Sequence, residues 1–168
     1  YVANREKVGF PHTMIDKITP RPDAKVVEML KADGFEDVEP VRTSKGSFVA
    51  PFVNAEETQY LIIEDWFPGG RPHLDAARGV LFTTRETVDR VEHMKVCTCL
   101  NPLHTALAVY GCLLGYRLIS EEMKDPQLHR MVEEIGYREG LPAVTDPGVI
   151  HPGDFLDTVI GVRLPNAF

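Results

Sequence analysis

The sequence predicts a mainly α-helical fold with a small β component. Apolar residues recur at helical spacing through most of the chain, and one short segment, residues 59–65, has the pattern of a strand. With 168 residues, 43% of them hydrophobic, the chain can build a buried core of its own. Because no internal repeat or low-complexity linker interrupts it, we treat residues 1–168 as one domain.

The charge and the cysteines exclude several classes of partner. The formal net charge is −7, so nucleic-acid phosphates and anionic membranes would repel the protein at long range. The longest apolar run, residues 105–116, is too short to span a bilayer. Cys97, Cys99 and Cys112 lie in one apolar segment, which is typical of reduced thiols. We expect a cytoplasmic protein that acts on a small molecule, with no nucleic-acid and no membrane partner.

The first half of the chain predicts one helix and the strands. Residues 24–33 carry an apolar stripe, Asp23 precedes it as an N-cap, and Gly34 follows as a carboxyl-terminal cap. Residues 59–65, QYLIIED, form a β-branched, apolar run and predict a strand. Residues 47–53, SFVAPFV, favour β structure too, but an internal proline makes that strand doubtful.

A long helix, a break and a buried helix are predicted next. Thr83 and Glu86 have the spacing of a capping box, which predicts that the long helix begins there. Pro102 lacks an N–H group and its ring crowds the preceding turn, so a kink or a new helix start is expected. Residues 105–119 are apolar nearly all round, which predicts the central buried helix of the domain.

Two further helices are predicted toward the carboxyl end. Asp125 and Pro126 supply the N-cap and first-turn residue of a helix that Gly136 ends, and a last helix spans residues 153–162. The sequence has no G-x-G-x-x-G between a strand and a helix. If a dinucleotide is used, its main cradle therefore lies elsewhere.

The most apolar stretch, residues 94–116, contains three polar groups suited to proton chemistry: Lys95, Asn101 and His104. Asn101 and His104 are three residues apart and share one helix face. Lys95 lies about 240° of helical rotation from Asn101, so the three converge only if the backbone bulges between them. Alternatively, Lys95 is an ordinary solvated lysine, Asn101 an N-cap and His104 a hydrogen-bonded core residue.

A zinc site is a further alternative, since His93, His104, Cys97 and Cys99 are all possible ligands. The C-x-C spacing on a helix directs the two thiols about 160° apart, whereas zinc ligands commonly come as C-x2-C or from converging loops. Buried structural cysteines explain the pattern better. We therefore predict no metal site.

Two other segments contain candidate site residues. In FPHTMIDKITP, His12, Asp16 and Lys17 can serve an active site, or the last two can form a polar edge. In EDWFPGGRP, Asp65 ends a strand and Arg71 lies in a Gly/Pro turn, where an anion-binding guanidinium and a structural ion pair are equally natural.

Together these segments resemble, in order, three landmarks of the long-chain mannitol dehydrogenase family. FPHTMIDKITP is similar to a Phe-Pro segment that leads to Met-x-Asp-Arg-Ile-Thr-Pro. EDWFPGGRP is similar to Glu-Asp-x-Phe-x-x-Gly-Arg-Pro, and MKVCTCLNPLH to the Lys-x4-Asn-x2-His signature. The resemblance covers essentially all of the chain. The family includes fructuronate reductases (mannonate oxidoreductases), tagaturonate reductases and mannitol 2-dehydrogenases.

The resemblance implies that residues 1–168 are a carboxyl-terminal substrate domain, truncated at both ends, whose partner is a missing Rossmann domain of the same protein. It implies NAD or NADP, bound mainly by that missing domain, and a sugar-acid or polyol substrate. D-mannonate and D-fructuronate are the first choice, mannitol and fructose the second. The alternative is a non-catalytic sugar-acid binding or regulatory domain, in which Lys95 points away from Asn101 and His104.

The resemblance also implies residue roles. Lys95 is the general base, Asn101 stabilises the oxyanion, His104 positions the substrate, and Glu92 gates proton exit to solvent. The residues expected to bind substrate are His12, Asp16, Lys17, Asp65 and Arg71. Oxidation of a secondary alcohol removes the hydroxyl proton as hydride leaves the same carbon, and a buried lysine can accept that proton without a metal.

The sequence departs from the family pattern in three places. Five residues separate Lys95 from Asn101 where the family has four, and we expect a bulge to restore their convergence. Lys17 stands where the family has arginine, and His12 where it has a small or amide residue, and both differences bear on which substrate is bound.

Overall fold

The computed structural model describes residues 4, 6–17, 19, 22–55 and 60–166. They divide into two compact units: the first takes its residues from Tyr1–Ile15 and Tyr60–Ala167, and the second from Asp16–Gln59. Helices dominate and the sheets are small, as the sequence predicts. The strands are β1 Thr13–Met14, β2 Val41–Arg42, β3 Phe48–Val49, β4 Leu61–Glu64 and β5 Val80–Thr83.

The helices include three segments of π-helix, in which each N–H bonds to the carbonyl five residues earlier. The α-helices are α1 Ala24–Ala32, α2 Arg85–Glu92, α3 Asn101–Leu114, α4 Ile119–Glu122, α5 Pro126–Glu133 and α6 Pro152–Thr158. The π segments are π1 His93–Leu100, π2 Glu134–Gly140 and π3 Val159–Arg163, and short 3₁₀ turns span Leu74–Ala76 and Leu141–Ala143.

The second unit confirms the first predicted helix. Asp23 caps α1, because its side chain accepts a hydrogen bond from the backbone amide of Lys25 at 2.8 Å. Gly34 follows the helix in the left-handed conformation, with φ of 86°. The doubtful strand is present as the short β3, which pairs antiparallel with β2. Val27 and Val38 are the buried hydrophobic residues of this unit among those described.

The first unit contains a three-stranded sheet with the order β1-β4-β5. The predicted strand is confirmed as β4, which pairs antiparallel with β1 and parallel with β5. β5, Val80–Thr83, was not predicted from the sequence. Ile62, at the centre of the sheet, is fully buried and packs in a cluster with Val88 and Val91 of α2.

The long predicted helix is continuous from α2 through π1 into α3. Its N-cap is Thr84, whose hydroxyl accepts the amide of Thr87, because the predicted cap Thr83 is the last residue of β5. Of the kink or new helix start expected at Pro102, the structure has a new start: α3 begins at Asn101, where the hydrogen-bond pattern changes from π to α without a gap. Pro102 lies in the first turn of α3, where its missing N–H is not needed.

The prediction that residues 105–119 form a helix buried on all sides is wrong. α3 ends at Leu114, where Gly115 takes φ of 88°, and α3 buries only Leu103, Leu107 and Gly111. That face packs on α4 and α5. The opposite face leaves Leu113 78% exposed and Val109 53% exposed. The whole run Arg85–Leu114 is long and apolar enough to cross a membrane by composition, as are core helices of soluble proteins.

Gly136 does not end the predicted helix, which is also a correction. α5 begins with the predicted Asp125 cap, but the helix continues from α5 into π2, which contains Gly136. A Cβ atom at Gly136 would lie 3.1 Å from a methyl carbon of Leu156 and 3.2 Å from one of Ile160. The glycine therefore permits close packing of the last helix, which spans α6 and π3 as predicted.

Candidate functional site

Lys95 is buried in the first unit and enclosed by aromatic rings. Lys95 is 1% exposed, and its Nζ atom lies 3.3 Å from the ring centroid of Tyr60 and 4.2 Å from that of Phe155. The alternative in which Lys95 is an ordinary solvated lysine is therefore wrong. A buried ammonium requires compensation, and the electron-rich ring faces supply part of it.

Three separate parts of the chain build this enclosure. Lys95 belongs to π1, Tyr60 directly precedes β4, and Phe155 is part of α6. Tyr60 belongs to the hydrophobic cluster that contains Ile62, Val88 and Val91, whereas Phe155 belongs to a second cluster, which includes Leu103, Leu107 and Leu156. Lys95 thus lies where the two hydrophobic clusters of the unit meet.

Asn101 and His104 lie in the first turn of α3, and both are exposed. The N-cap of α3 is Leu100, and no side-chain hydrogen bond caps this helix. Neither the N-cap role for Asn101 nor the core role for His104 is therefore correct. Both side chains are open to a ligand or to another part of the protein.

The predicted bulge between Lys95 and Asn101 is present as π1. The amide of Asn101 donates to the carbonyl of Val96, five residues earlier, so the widened helical turn accommodates the extra residue. The convergence of Lys95 with Asn101 and His104 stays a prediction. Glu92, the last residue of α2, is exposed one turn before Lys95, where a carboxylate can exchange protons with solvent.

The cysteines of this stretch occupy different environments. Cys99 is buried, and burial raises the pKa of its thiol, while the charge of nearby Lys95 opposes that shift. Cys97 and Cys112 are exposed. Over the described ranges, no group of three His, Cys, Asp or Glu residues is placed to hold a metal ion.

Arg71 forms a structural ion pair. Its Nε and second guanidinium nitrogen donate to the two carboxylate oxygens of Asp65 at 2.8 and 3.3 Å, and Asp75 accepts a third bond at 3.3 Å. The guanidinium carbon lies 3.5 Å from the ring centroid of Phe82. The ion pair with Arg71 lowers the pKa of Asp75. A role of Asp65 and Arg71 in substrate binding stays a prediction.

The remaining predicted residues lie near the first strand. His12 is exposed, and its backbone N–H donates to the carboxylate of Glu64 at 2.9 Å, which ties the start of β1 to the end of β4. Asp16 and Lys17 are half-buried and belong to the second unit. Substrate binding by these three residues stays a prediction.

A cavity of about 660 Å³ is lined by residues of α2 and π1, with Ala143, Val144 and Thr145 on its other side. It contains none of the predicted site residues. Its arginines are already paired, Arg85 with Asp89 at 2.9 Å and Arg90 with Glu86 at 2.5 Å. This cavity is therefore a poor candidate for an anionic substrate.

Sequence reasoning missed Tyr60 and Phe155 as neighbours of Lys95. They lie 35 residues before and 60 residues after it. No local spacing connects residues so far apart, and each aromatic residue fits an ordinary core pattern. Only the tertiary packing brings them to one place.

Curated relatives match nearly the whole chain, although no protein-family model matches it. A D-mannonate oxidoreductase of Thermotoga maritima is 56% identical over 96% of this chain. A polyol:NADP oxidoreductase of Gluconobacter oxydans is 30% identical over 92% of it. A mannitol 2-dehydrogenase of Cereibacter sphaeroides is 30% identical over 96%. The chain spans 29 to 30% of the length of these three relatives.

Two solved structures share the fold. A D-sorbitol dehydrogenase in substrate-free form aligns over 98% of this chain with a TM-score of 0.73 and 26% identity. The mannitol 2-dehydrogenase of Pseudomonas fluorescens, in a ternary complex with NAD and D-mannitol, aligns over 98% with a TM-score of 0.63 and 27% identity. The chain covers 31% and 30% of those two chains.

Proposed function

Because this chain belongs to the mannitol dehydrogenase family, we propose that it is the carboxyl-terminal substrate domain of an NAD- or NADP-dependent oxidoreductase. The enzyme interconverts a sugar acid or polyol with its keto form. One observation carries the proposal. Lys95 is a buried lysine within π1, and Asn101 and His104 follow directly after π1, both exposed in the first turn of α3.

D-mannonate and D-fructuronate are the proposed substrate pair. The 56% identical relative is a D-mannonate oxidoreductase, whereas the mannitol 2-dehydrogenases are near 30% identity. Mannitol and fructose are therefore the second choice. Lys17 and His12, which depart from the usual family residues, are the positions we expect to set this preference.

The proposed mechanism gives each polar group one task. The nicotinamide, when bound, accepts the hydride from the alcohol carbon. The neutral amine of Lys95 accepts the hydroxyl proton and becomes an ammonium, which the ring faces of Tyr60 and Phe155 stabilise, and Asn101 donates a hydrogen bond to the developing oxyanion without adding a charge. His104 orients the substrate, and Glu92 passes the proton to solvent. The residues fit this role because Asn101 and His104 are exposed and Glu92 lies one turn from the base.

The missing partner is proposed to be a Rossmann domain elsewhere in the same cytoplasmic protein. The described residues form a small mixed sheet, without a glycine-rich strand-turn-helix cradle. The exposed face of α3, which carries Asn101, Val109 and Leu113, is open for such a domain. The 168-residue chain alone should therefore show no turnover.

The test is reduction of D-fructuronate, D-tagaturonate and D-fructose by the intact protein with NADH and with NADPH. One substrate should be reduced, and Lys95→Ala should lower its rate by about 10²- to 10⁴-fold, the usual contribution of a general base. Lys25→Ala, which removes an exposed lysine of α1, is the matched control. Full activity of Lys95→Ala would contradict the role of Lys95.

A non-catalytic sugar-acid binding domain is the second candidate. The observation that favours it is the position of Lys95 Nζ between two rings, while Asn101 and His104 are exposed. This candidate predicts that the intact protein binds a sugar acid in calorimetry yet reduces none of the three substrates.

A further inference from the structure

Two ring faces from separate elements hold the side-chain nitrogen of Lys95. The centroid distances of 3.3 Å to Tyr60 and 4.2 Å to Phe155 are both within the range of cation–π contacts. The two aromatic residues are each 8% exposed. Such a contact is strongest where water is excluded, and Lys95 itself is 1% exposed.

We propose that Tyr60 and Phe155 are positioning residues for Lys95, whose ring faces fix the place from which its side-chain nitrogen acts. This inference rests on the proposed function, because it assigns two supporting residues to the proposed base. The lysine side chain is a flexible four-carbon stem with a single charged group. The two ring faces limit the rotamers that this stem can adopt, which keeps the base in a productive position for more of the time.

The enclosure depends on the core of the fold. Tyr60 is followed by the central strand β4, and Phe155 lies on α6 beside Leu156, which is fully buried. Elements packed in this way hold a group more accurately than loops do. Replacement of either ring by an aliphatic side chain should therefore reduce the order of the Lys95 side chain.

The experiment measures both the accessibility of Lys95 and the rate of the intact protein. Competitive acetylation with acetic anhydride, read by mass spectrometry, compares Lys95 with exposed Lys25 in each variant. Tyr60→Leu and Phe155→Leu should raise acetylation of Lys95 by about tenfold, the effect that loss of one desolvated cation–π contact permits. They should lower kcat by about tenfold, with KM changed by less than about twofold.

Two further variants separate the ring from its surroundings. Tyr60→Phe keeps the ring face and removes the hydroxyl. It should therefore keep Lys95 protected from acetylation and retain most of the native kcat. Val27→Ala removes a buried side chain from the second unit and reports the effect of lost stability alone. It should leave the acetylation of Lys95 unchanged.

The outcomes distinguish this inference from the proposed function. Unchanged acetylation of Lys95 in Tyr60→Leu and Phe155→Leu overturns the inference, as does an equal rise in Val27→Ala. A Tyr60→Phe variant that behaves like Tyr60→Leu also overturns it, because the hydroxyl would then be the essential group. If protection changes as expected while the native intact protein reduces no substrate, the enclosure is supported and the proposed function fails.

Discussion

The carboxyl group of Glu122 fills the space that a side chain on Gly111 would occupy. The three atoms nearest to an ideal Cβ on Gly111 all belong to that carboxyl group. Glu122 is 3% exposed, and its Oε2 has no hydrogen-bond partner within the described part of the chain. The contact between α3 and α4 therefore contains a buried acid that fits only because residue 111 is glycine.

A double-mutant cycle should reveal this coupling. Gly111→Ala alone should lower the free energy of unfolding by about 1–3 kcal/mol, because the new methyl group displaces a buried side chain. In the Glu122→Ala background, the same change should raise it by about 0.5–1 kcal/mol, since alanine is favoured over glycine in a helix. Urea unfolding of the four proteins measures both effects. Additive effects of the two changes would contradict the contact.

The stability of the protein should fall with rising pH because of Glu122. Burial raises the pKa of this carboxyl above its ordinary value of 4.5. The folded state then holds the proton more tightly than the unfolded state, so the contribution is complete below pH 4.5 and is lost as the pH rises through the raised pKa.

Glu122→Gln keeps the shape of the side chain and cannot ionise. Its free energy of unfolding should decline less than that of the native protein between about pH 4 and pH 7, measured by urea unfolding at each pH. If the two curves run parallel, the burial of Glu122 has no effect on its ionisation.

Gly136→Ala should destabilise the packing of α6 on π2. The added methyl group would lie within about 3.2 Å of Leu156 and Ile160, closer than ordinary van der Waals contact, and overpacking of this kind costs about 1–3 kcal/mol. Gly161→Ala is the matched control, since a Cβ at that position would meet no described atom within 4 Å other than its own helix backbone and chain neighbours. Thermal unfolding of both variants makes the comparison. Equal melting temperatures would refute the close approach.

Deletion of one residue should be tolerated in π1 and not in α3. Removing Cys97 restores the family's four-residue spacing between Lys95 and Asn101, and the segment can return to α geometry without rotating its flanks. Removing Tyr110 rotates the rest of α3 by about 100° and separates Gly111 from its partner. We expect deletion of Cys97 to lower Tm by less than about 5 °C and deletion of Tyr110 to lower it by more than about 10 °C. Circular dichroism melts of the intact protein decide between them.

Local chemistry made several elements predictable. Asp23 and Asp125 cap their helices as expected, because the side chain and the amide that it accepts are close in sequence. The N-cap of α2 lies one residue after the predicted Thr83, because Thr83 is the last residue of β5. Where an N-cap residue directly precedes an apolar helical pattern, as at Asp23 and Asp125, the predicted helix start is confirmed.

Features that depend on tertiary packing could not be predicted. Val109 and Leu113 are exposed because the other face of α3 packs on α4 and α5. In a helix that is apolar nearly all round, the sequence does not show which face will be buried. Glycine at position 136 predicts a helix end because glycine favours such ends, yet here the missing side chain permits close packing of Leu156. The aromatic enclosure of Lys95 likewise joins residues from distant parts of the chain. The bulge was predicted only because the spacing departed from the family signature.

The π1 segment shows how a helix can tolerate the insertion of one residue during evolution. A gene that gains one codon inside an α-helix rotates everything downstream, and the surfaces on either side lose their partners at once. The widened turn of π1 can contain one added residue while α2 packs on the sheet and α3 packs on α4 and α5. An insertion at this place can survive selection as a single event, without compensating changes elsewhere in the gene.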